Sequence, residues 1–108
     1  MFSTNATYYL LRCLDEEIVN AEKWGKTYAS NHEAYAVLKE EVEEADGDLD
    51  AIKYSLDTFW NLVKVNADKD CMEQTVKDLK DTAYSMAKEA IQVTAVCYKV
   101  LKTLEKKE

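Results

Sequence analysis

Acidic side chains are concentrated in a ten-residue stretch, Lys39 to Asp48, which reads KEEVEEADGD. On an α-helix, where successive residues are about 100° apart, Glu41, Glu44 and Asp48 fall on one line that borders an apolar stripe. Like charges at this spacing repel one another, and a hard divalent cation such as Mg²⁺ prefers oxygen ligands of this kind. The stretch therefore predicts a metal site, although a solvated acidic face is the simpler interpretation.

A further carboxylate lies later in the chain, where Glu89 shares a helical face with three valines, Val93, Val96 and Val100. A carboxylate in an apolar sector is unfavourable unless it is paired or bound to metal. Gln92, one turn on, adds a neutral oxygen. If Glu41 and Glu44 face Glu89 and Gln92, three carboxylates and one amide lie between two helices, leaving positions for water and substrate phosphates on a Mg²⁺ ion. A salt bridge from Glu89 to a neighbouring lysine is the alternative.

Composition restricts the fold to an all-α class. The chain has 108 residues, no proline and only two glycines, Gly25 and Gly47, so we expect one domain over residues 1–108. Turn-rich β folds and glycine-rich phosphate loops are excluded because both require more glycine or proline than two isolated glycines supply.

The charge and the cysteine content indicate which binding partners and which cell compartment are compatible with the sequence. A net charge of −7 argues against binding to nucleic-acid polymers, which relies on Lys and Arg neutralising phosphates. No apolar run is long enough to span a membrane. The three cysteines are far apart and form no C-x-x-C pair, which is typical of a protein in the reducing cytoplasm.

Apolar spacings of three and four predict three long helices, at residues 4–28, 31–65 and 70–106, the second continuing through Gly47. Residues 90–98 are apolar on nearly every side, so three helices alone would not cover them. We therefore expect a bundle of long antiparallel helices whose core is completed by oligomerisation. The lysines at positions 99, 102, 106 and 107 are expected to oppose the dipole at the end of their own helix.

The stretch HEAYAVLKEEVEE, residues 32–44, resembles the first motif of MazG-like proteins, members of the all-α nucleoside triphosphate pyrophosphohydrolase superfamily. That motif is E-E-x-x-E on one helix, and it is matched by Glu40, Glu41 and Glu44. The second family motif is E-x-x-D on a later helix. The stretch KEAIQV, residues 88–93, is similar to that region in a short, often phage- or prophage-associated branch.

The resemblance, which covers most of residues 20–100, implies an all-α homodimer or dimer of dimers. It implies Mg²⁺-dependent or Mn²⁺-dependent cleavage of a nucleoside triphosphate into the monophosphate and pyrophosphate. By position, Glu41, Glu44 and Glu89 would be metal ligands, with Gln92 beside them. Glu40 would act with Glu41 in catalysis, either as an acid that supports the metal ligands from outside or as the acid that orients the attacking water.

Trp24 and Gly25, ahead of the first motif, also fit that branch, and Trp24 is a candidate to stack on the nucleobase, with Trp60 as the alternative. Packing is the more common role of any single aromatic residue.

One position departs from the family pattern, because Gln92 replaces the second-motif aspartate. An amide can coordinate a metal but contributes no charge, so metal affinity should fall. Asp78 and Asp81, also three residues apart, form an alternative second motif. Asp48 is a candidate auxiliary ligand that would partly restore the missing charge.

A second hypothesis is a non-catalytic, oligomeric helical interaction protein with a degenerate metal site. Two unbroken registers of spacing three and four are what an oligomerising bundle needs. Metal-dependent release of pyrophosphate separates the two hypotheses.

Overall fold

The computed structural model of the protein describes residues 1–105, and these residues form three α-helices and no strand. The helices are α1 (Thr4–Ala21), α2 (Asn31–Lys64) and α3 (Lys69–Glu105). The all-α prediction is confirmed. The predicted end of the third helix at Lys106, and the role expected for Lys106 and Lys107, lie outside the described residues.

Side-chain caps explain where the helices begin. The hydroxyl of Ser3 accepts a hydrogen bond from the backbone N–H of Ala6 at 3.0 Å, and the hydroxyl of Ser30 accepts one from the backbone N–H of Glu33 at 3.1 Å. The carboxylate of Asp68 accepts the N–H of Cys71 at 2.8 Å, and this hydrogen bond lowers the pKa of Asp68. Each cap satisfies an N–H group that has no partner inside the helix.

The first helix ends at Ala21, earlier than the predicted residue 28. Its last carbonyl is held by α3, because Lys99 Nζ donates to the Ala21 carbonyl oxygen at 2.9 Å. Lys102 of α3 pairs with the carboxylate of Glu22, the next residue. The chain then turns through Gly25, whose φ of +131° lies in a region that favours glycine. The prediction that the helix continues to residue 28 is wrong, because the chain turns at Gly25 and the end of the helix contacts α3.

The second helix is continuous through Gly47, which confirms the prediction. Only the helix's own backbone approaches Gly47 closely, and a Cβ added there would meet nothing else within 4 Å. An unbroken apolar register was therefore a better guide than the low helix propensity of one glycine.

The described residues divide into two compact units. The first contains residues 1–42 and the chain from residue 90 onward, and the second contains residues 43–89. All the buried residues among those described belong to the first unit: Ala34, Ala95, Val96, Lys99 and Thr103. The single-domain assignment for residues 1–108 stays a prediction.

The second unit is a helical hairpin. Residues 43–64 of α2 and 69–89 of α3 are joined by a connection of four residues, 65–68. The hydroxyl of Ser85 donates to Asp48 Oδ2 at 3.0 Å, and these two residues lie at nearly equal distances along the chain from the connection. This contact shows that the two helical segments run side by side in opposite directions.

None of the helices in residues 1–105 carries an apolar segment long enough to cross a membrane.

Candidate metal centre

Three of the predicted metal ligands come together in the structure. Glu41, Glu44 and Glu89 each offer a carboxylate oxygen, and these three oxygens lie within 4.8 Å of one another. In the part of the chain that the structure describes, this is the one group of three or more His, Cys, Asp or Glu residues that are this close. Glu41 and Glu89 are half-buried and Glu44 is exposed.

Helix geometry accounts for the cluster. Glu44 lies one turn before Asp48 on α2, and Glu89 lies one turn after Ser85 on α3. Because Asp48 and Ser85 are hydrogen-bonded, the antiparallel register of the hairpin brings Glu44 and Glu89 together at the next turn. Glu41 precedes Glu44 by three residues on the same helix and so shares its face.

The donor set fits a hard divalent cation. Around Mg²⁺, with metal–oxygen distances of about 2.1 Å, octahedral geometry places oxygens about 3 to 4 Å apart. The three carboxylate oxygens, which lie within 4.8 Å of one another, are close enough for small side-chain movements to bring them to one such ion. The Oε2 atom of Glu89 is shielded from solvent, so the charges act on one another through a medium less polar than water. A bound cation would lower this repulsion.

Gln92 is engaged with a residue that the sequence analysis missed. Its Nε2 donates to Glu17 Oε2 at 2.7 Å. An ionised carboxylate only accepts hydrogen bonds, so the amide nitrogen faces Glu17 and the amide oxygen points away from it. The signal for Glu17 was available, because it lies three residues after Leu14 and four before Ala21, in the apolar register of α1.

The other predicted acids lie outside the cluster. Asp48, the candidate auxiliary ligand, is half-buried and accepts the hydrogen bond from Ser85. Glu40, the expected water-orienting acid, is exposed on α2. In the alternative second motif, Asp78 accepts a hydrogen bond from Gln74 at 2.9 Å, and Asp81 lies 3.6 Å from the ammonium of Lys80. Both roles predicted for Asp48 and Glu40 stay predictions.

Trp24 lies in the segment between α1 and α2, and 90% of its surface is exposed. Lys23 Nζ lies 5.9 Å from the centre of its ring. A flat, exposed aromatic ring is available for stacking, and the role of Trp24 in binding a nucleobase stays a prediction.

The same segment is fastened to α3 by Tyr28. Its backbone N–H donates to Thr103 Oγ1 at 2.8 Å, and Lys99 Nζ lies 4.3 Å from the centre of its ring. Burial raises the pKa of the Tyr28 phenol, and the negative charges of Glu33 and Glu41 raise it further. The electrostatic effect of Glu41 therefore extends to Tyr28.

The lysines near the end of α3 hold other parts of the first unit. Lys99 is buried against Tyr28 and the carbonyl of Ala21, and Lys102 pairs with Glu22. Both cations thus stabilise the C-terminal end of α1, where the helix dipole is negative. The sequence had assigned them to the end of their own helix, and for Lys99 that interpretation is wrong.

Comparison of the chain with protein-family models, with curated proteins and with solved structures gave no match.

Proposed function

We propose that this protein is a Mg²⁺-dependent nucleoside triphosphate pyrophosphohydrolase of the MazG-like type, acting on nucleotide pools in the cytoplasm. Water would attack the α-phosphorus, and the bond to the bridging oxygen of the β-phosphate would break, releasing the monophosphate and pyrophosphate. The observation that carries the proposal is the convergence of Glu41, Glu44 and Glu89, each predicted as a ligand, within 4.8 Å. The motif resemblance supplies the reaction type.

The candidate residues would divide into those that hold the metal ion and one that orients the attacking water. Glu41, Glu44 and Glu89 would each contribute an oxygen to hold Mg²⁺ or Mn²⁺, and the amide oxygen of Gln92 would face the same site. The cation, when bound, would neutralise charge on the phosphate oxygens. Glu40, next to Glu41 on α2, would orient the attacking water. Glu41 and Glu89, being half-buried, would hold their positions better than exposed side chains.

Substrate and assembly follow from the same proposal. The exposed ring of Trp24 would stack on the nucleobase, which every nucleoside triphosphate offers. The helices would form an antiparallel bundle completed by further copies of the chain, as a homodimer or a dimer of dimers. The acidic net charge favours a small phosphate ligand, bound through a cation, and disfavours a nucleic-acid polymer.

Assay of pyrophosphate release tests the reaction. The protein is incubated with Mg²⁺ or Mn²⁺ and a panel of canonical and modified nucleoside triphosphates, and the nucleotide product is identified as monophosphate or diphosphate. We expect monophosphate and pyrophosphate, and a loss of at least a hundredfold in rate in Glu41→Gln and Glu89→Gln, as removal of a metal ligand implies.

Asp46→Asn is the matched control, because it removes one charge from the same acidic stretch at an exposed position outside the cluster. Circular dichroism establishes that each variant is folded. Absence of pyrophosphate with every substrate and both metals would refute the enzyme, as would activity that survives in folded Glu89→Gln.

The second candidate is the non-catalytic oligomeric interaction protein. It is favoured by the many large apolar side chains that are exposed among the described residues, including Leu11, Tyr35, Leu56, Trp60 and Leu101. An inactive protein that nevertheless self-associates would support this candidate.

A further inference from the structure

Two buried polar residues of the first unit, Lys99 and Thr103, lie one turn apart on α3 and are 7% and 3% exposed. Lysine and threonine are seldom buried unless their polar groups have partners. Here the partners lie on the segment that joins α1 to α2. Lys99 Nζ donates to the carbonyl oxygen of Ala21, and Thr103 Oγ1 accepts the backbone N–H of Tyr28. Both buried groups therefore hold a segment that is distant in the chain.

We call residues 22–28 the strap. Its first residue, Glu22, pairs through its carboxylate with Lys102 of α3. Its last residue, Tyr28, has its ring centre 4.3 Å from Lys99 Nζ. The Thr103 hydroxyl also donates to the Lys99 carbonyl oxygen at 2.9 Å, so its own orientation is fixed. Helix α3 thus holds both ends of the strap through directional polar contacts.

The middle of the strap is a tight turn that exposes Trp24. The backbone N–H of Gly25 donates to the Glu22 carbonyl oxygen at 3.0 Å, and the φ of +131° at Gly25 favours glycine. Trp24 lies inside this turn, and 90% of its surface is exposed. An indole this exposed is held in place mainly by its own backbone. The contacts at the ends of the strap therefore determine where the ring lies.

The strap is positively charged between its ends. Residues 23–28 contain Lys23 and Lys26 and no acid, whereas the whole chain has a net charge of −7. Both lysines are exposed. A flat aromatic ring with cations beside it suits a ligand that has a flat aromatic part and an anionic part. A nucleotide has both, and choosing it as the ligand rests on the proposed function.

The end of the strap lies within electrostatic reach of a candidate metal ligand. Burial raises the pKa of the Tyr28 phenol, and the negative charges of Glu33 and Glu41 raise it further. Such effects between charges extend over about 10 Å in salt solution. The strap and Glu41 therefore lie in the same part of the first unit, as binding of one nucleotide by its base and its phosphates requires.

We propose that Lys99 and Thr103 are positioning residues, which hold the strap so that Trp24 is presented in a fixed place to the nucleobase. Apolar residues at these two positions would avoid the desolvation of an ammonium group, but only directional hydrogen bonds fix the two ends of the strap. A ring that is in place before the ligand arrives loses less conformational freedom on binding. The inference adds to the proposed function two residues that act through Trp24.

Nuclear magnetic relaxation of the backbone amides tests the positioning without nucleotide or metal. In the wild-type chain we expect order parameters of about 0.85 at Trp24 and Gly25, as in rigid backbone. Thr103→Val keeps the shape of the side chain but removes the acceptor of the Tyr28 N–H, and the values should fall below about 0.6. Thr103→Ser keeps the acceptor and should preserve the order of the strap.

Thr94→Val is the matched control. The Thr94 hydroxyl also donates within α3, to the Ala90 carbonyl oxygen at 2.9 Å, but the residue is exposed. The order parameters of the strap should therefore not change in this variant. Circular dichroism establishes that each variant keeps its helices.

Steady-state kinetics with the nucleoside triphosphate that is cleaved best tests the consequence for binding. Thr103→Val and Lys99→Met should raise KM at least about fivefold and leave kcat nearly unchanged, because stacking on the base is the same in the ground state and the transition state. Trp24→Ala should raise KM to a similar extent. Adding Thr103→Val to Trp24→Ala should cause no further rise, because both changes act through one contact.

Order parameters that stay high in Thr103→Val would overturn the proposal, and so would a strap that is already disordered in the wild-type chain. An additive rise of KM in the double variant would also overturn it, since Thr103 would then act through another contact. If the wild-type protein releases no pyrophosphate, the proposed function is refuted and the nucleobase with it. The order parameters would still decide whether α3 positions Trp24, so the two failures are distinguishable.

Discussion

Position 92 illustrates how one residue changes the chemistry of the candidate site. The family motif has an aspartate at this position. In this protein the amide of Gln92 donates a hydrogen bond to the carboxylate of Glu17, which lies on α1. A carboxylate at position 92 would instead face a second carboxylate in a partly buried place. The effect of a substitution at position 92 therefore depends on the residue at position 17. Of the two residues, Glu17 on α1 carries the negative charge.

We predict that Gln92→Asp lowers the stability of the protein at pH 7, because a charge-assisted hydrogen bond worth about 1.5 to 3 kcal/mol is replaced by repulsion. Adding Glu17→Gln should restore most of the loss, since the amide and the carboxylate are then exchanged. Denaturant unfolding of the single and double variants gives the coupling free energy. Gln74→Asp, at the exposed Gln74–Asp78 pair, is the matched control and should have a smaller effect. A double variant no more stable than Gln92→Asp would contradict the coupling.

Tyr28 links the segment after α1 to the acidic side chains of the first unit. Its phenol is shielded by burial and faces the charges of Glu33 and Glu41, all of which disfavour the phenolate, while Lys99 lies over its ring. The folded state therefore holds the phenolic proton more tightly than the unfolded chain does.

We predict that Tyr28 contributes to the loss of stability at alkaline pH. Because the pKa is raised in the folded state, its contribution is fully present below about pH 10, the unfolded value, and is lost as the pH rises through the folded pKa. Tyr28→Phe should flatten this part of the curve, measured by urea unfolding between pH 8 and 11. Tyr54→Phe, at an exposed tyrosine, serves as the control. An unchanged slope in Tyr28→Phe would show that other groups cause the alkaline loss.

At the scale of the elements, the two glycines of the chain differ in their relation to the helices. The register of α2 passes through Gly47 without a break, whereas α1 ends before Gly25. The two glycines differ in backbone conformation, since Gly25 has a φ of +131° and Gly47 is an ordinary helical residue. Identical substitutions should therefore have opposite effects.

We predict that Gly47→Ala stabilises the protein by about 1 kcal/mol, because alanine loses less backbone entropy and nothing within 4 Å opposes its methyl group. Gly25→Ala should be destabilising, because an L-residue is strained at that φ. The midpoint of denaturant unfolding measures both. A gain in both variants would show that the segment after α1 adapts freely.

At the scale of the whole molecule, many large apolar side chains of the described residues are exposed to solvent. Five residues are buried within them, and all five lie in the first unit. The hairpin of residues 43–89 contains Glu44 and Glu89 of the acidic cluster, together with exposed apolar side chains such as Leu56, Trp60 and Val76. A bound cation and a second copy of the chain would each stabilise the folded state by mass action.

We predict that Mg²⁺ or Mn²⁺ raises the melting temperature, because a cation relieves the repulsion among Glu41, Glu44 and Glu89 only in the folded protein. At a free metal concentration a hundred times the dissociation constant, the gain is about 2.7 kcal/mol. Glu44→Gln should abolish most of the shift and, being at an exposed residue, should leave the fold intact. Asp46→Asn should retain the shift. A melting temperature that does not respond to either metal would remove the support for a metal site.

Local patterns in the sequence determined the helical class and the continuity of α2. These features depend on residues within about one turn of one another, which the sequence records directly. The same periodicity placed Glu41 and Glu44 on one face of α2 and marked Glu89 as an unusual acid, so the three clustered carboxylates could be proposed before their distances were known.

Only the tertiary structure decided which residues from distant parts of the chain meet. The partner of Gln92, the early end of α1 and the burial of Lys99 all involve contacts between residues more than 70 positions apart. The sequence placed an apolar stripe on each helix of the hairpin, but only the structure shows which of its members are exposed, as Leu56 and Val76 are, and which are half-buried, as Ile52 and Leu79 are. Periodicity specifies a face, but the angle at which two faces meet depends on packing between helices.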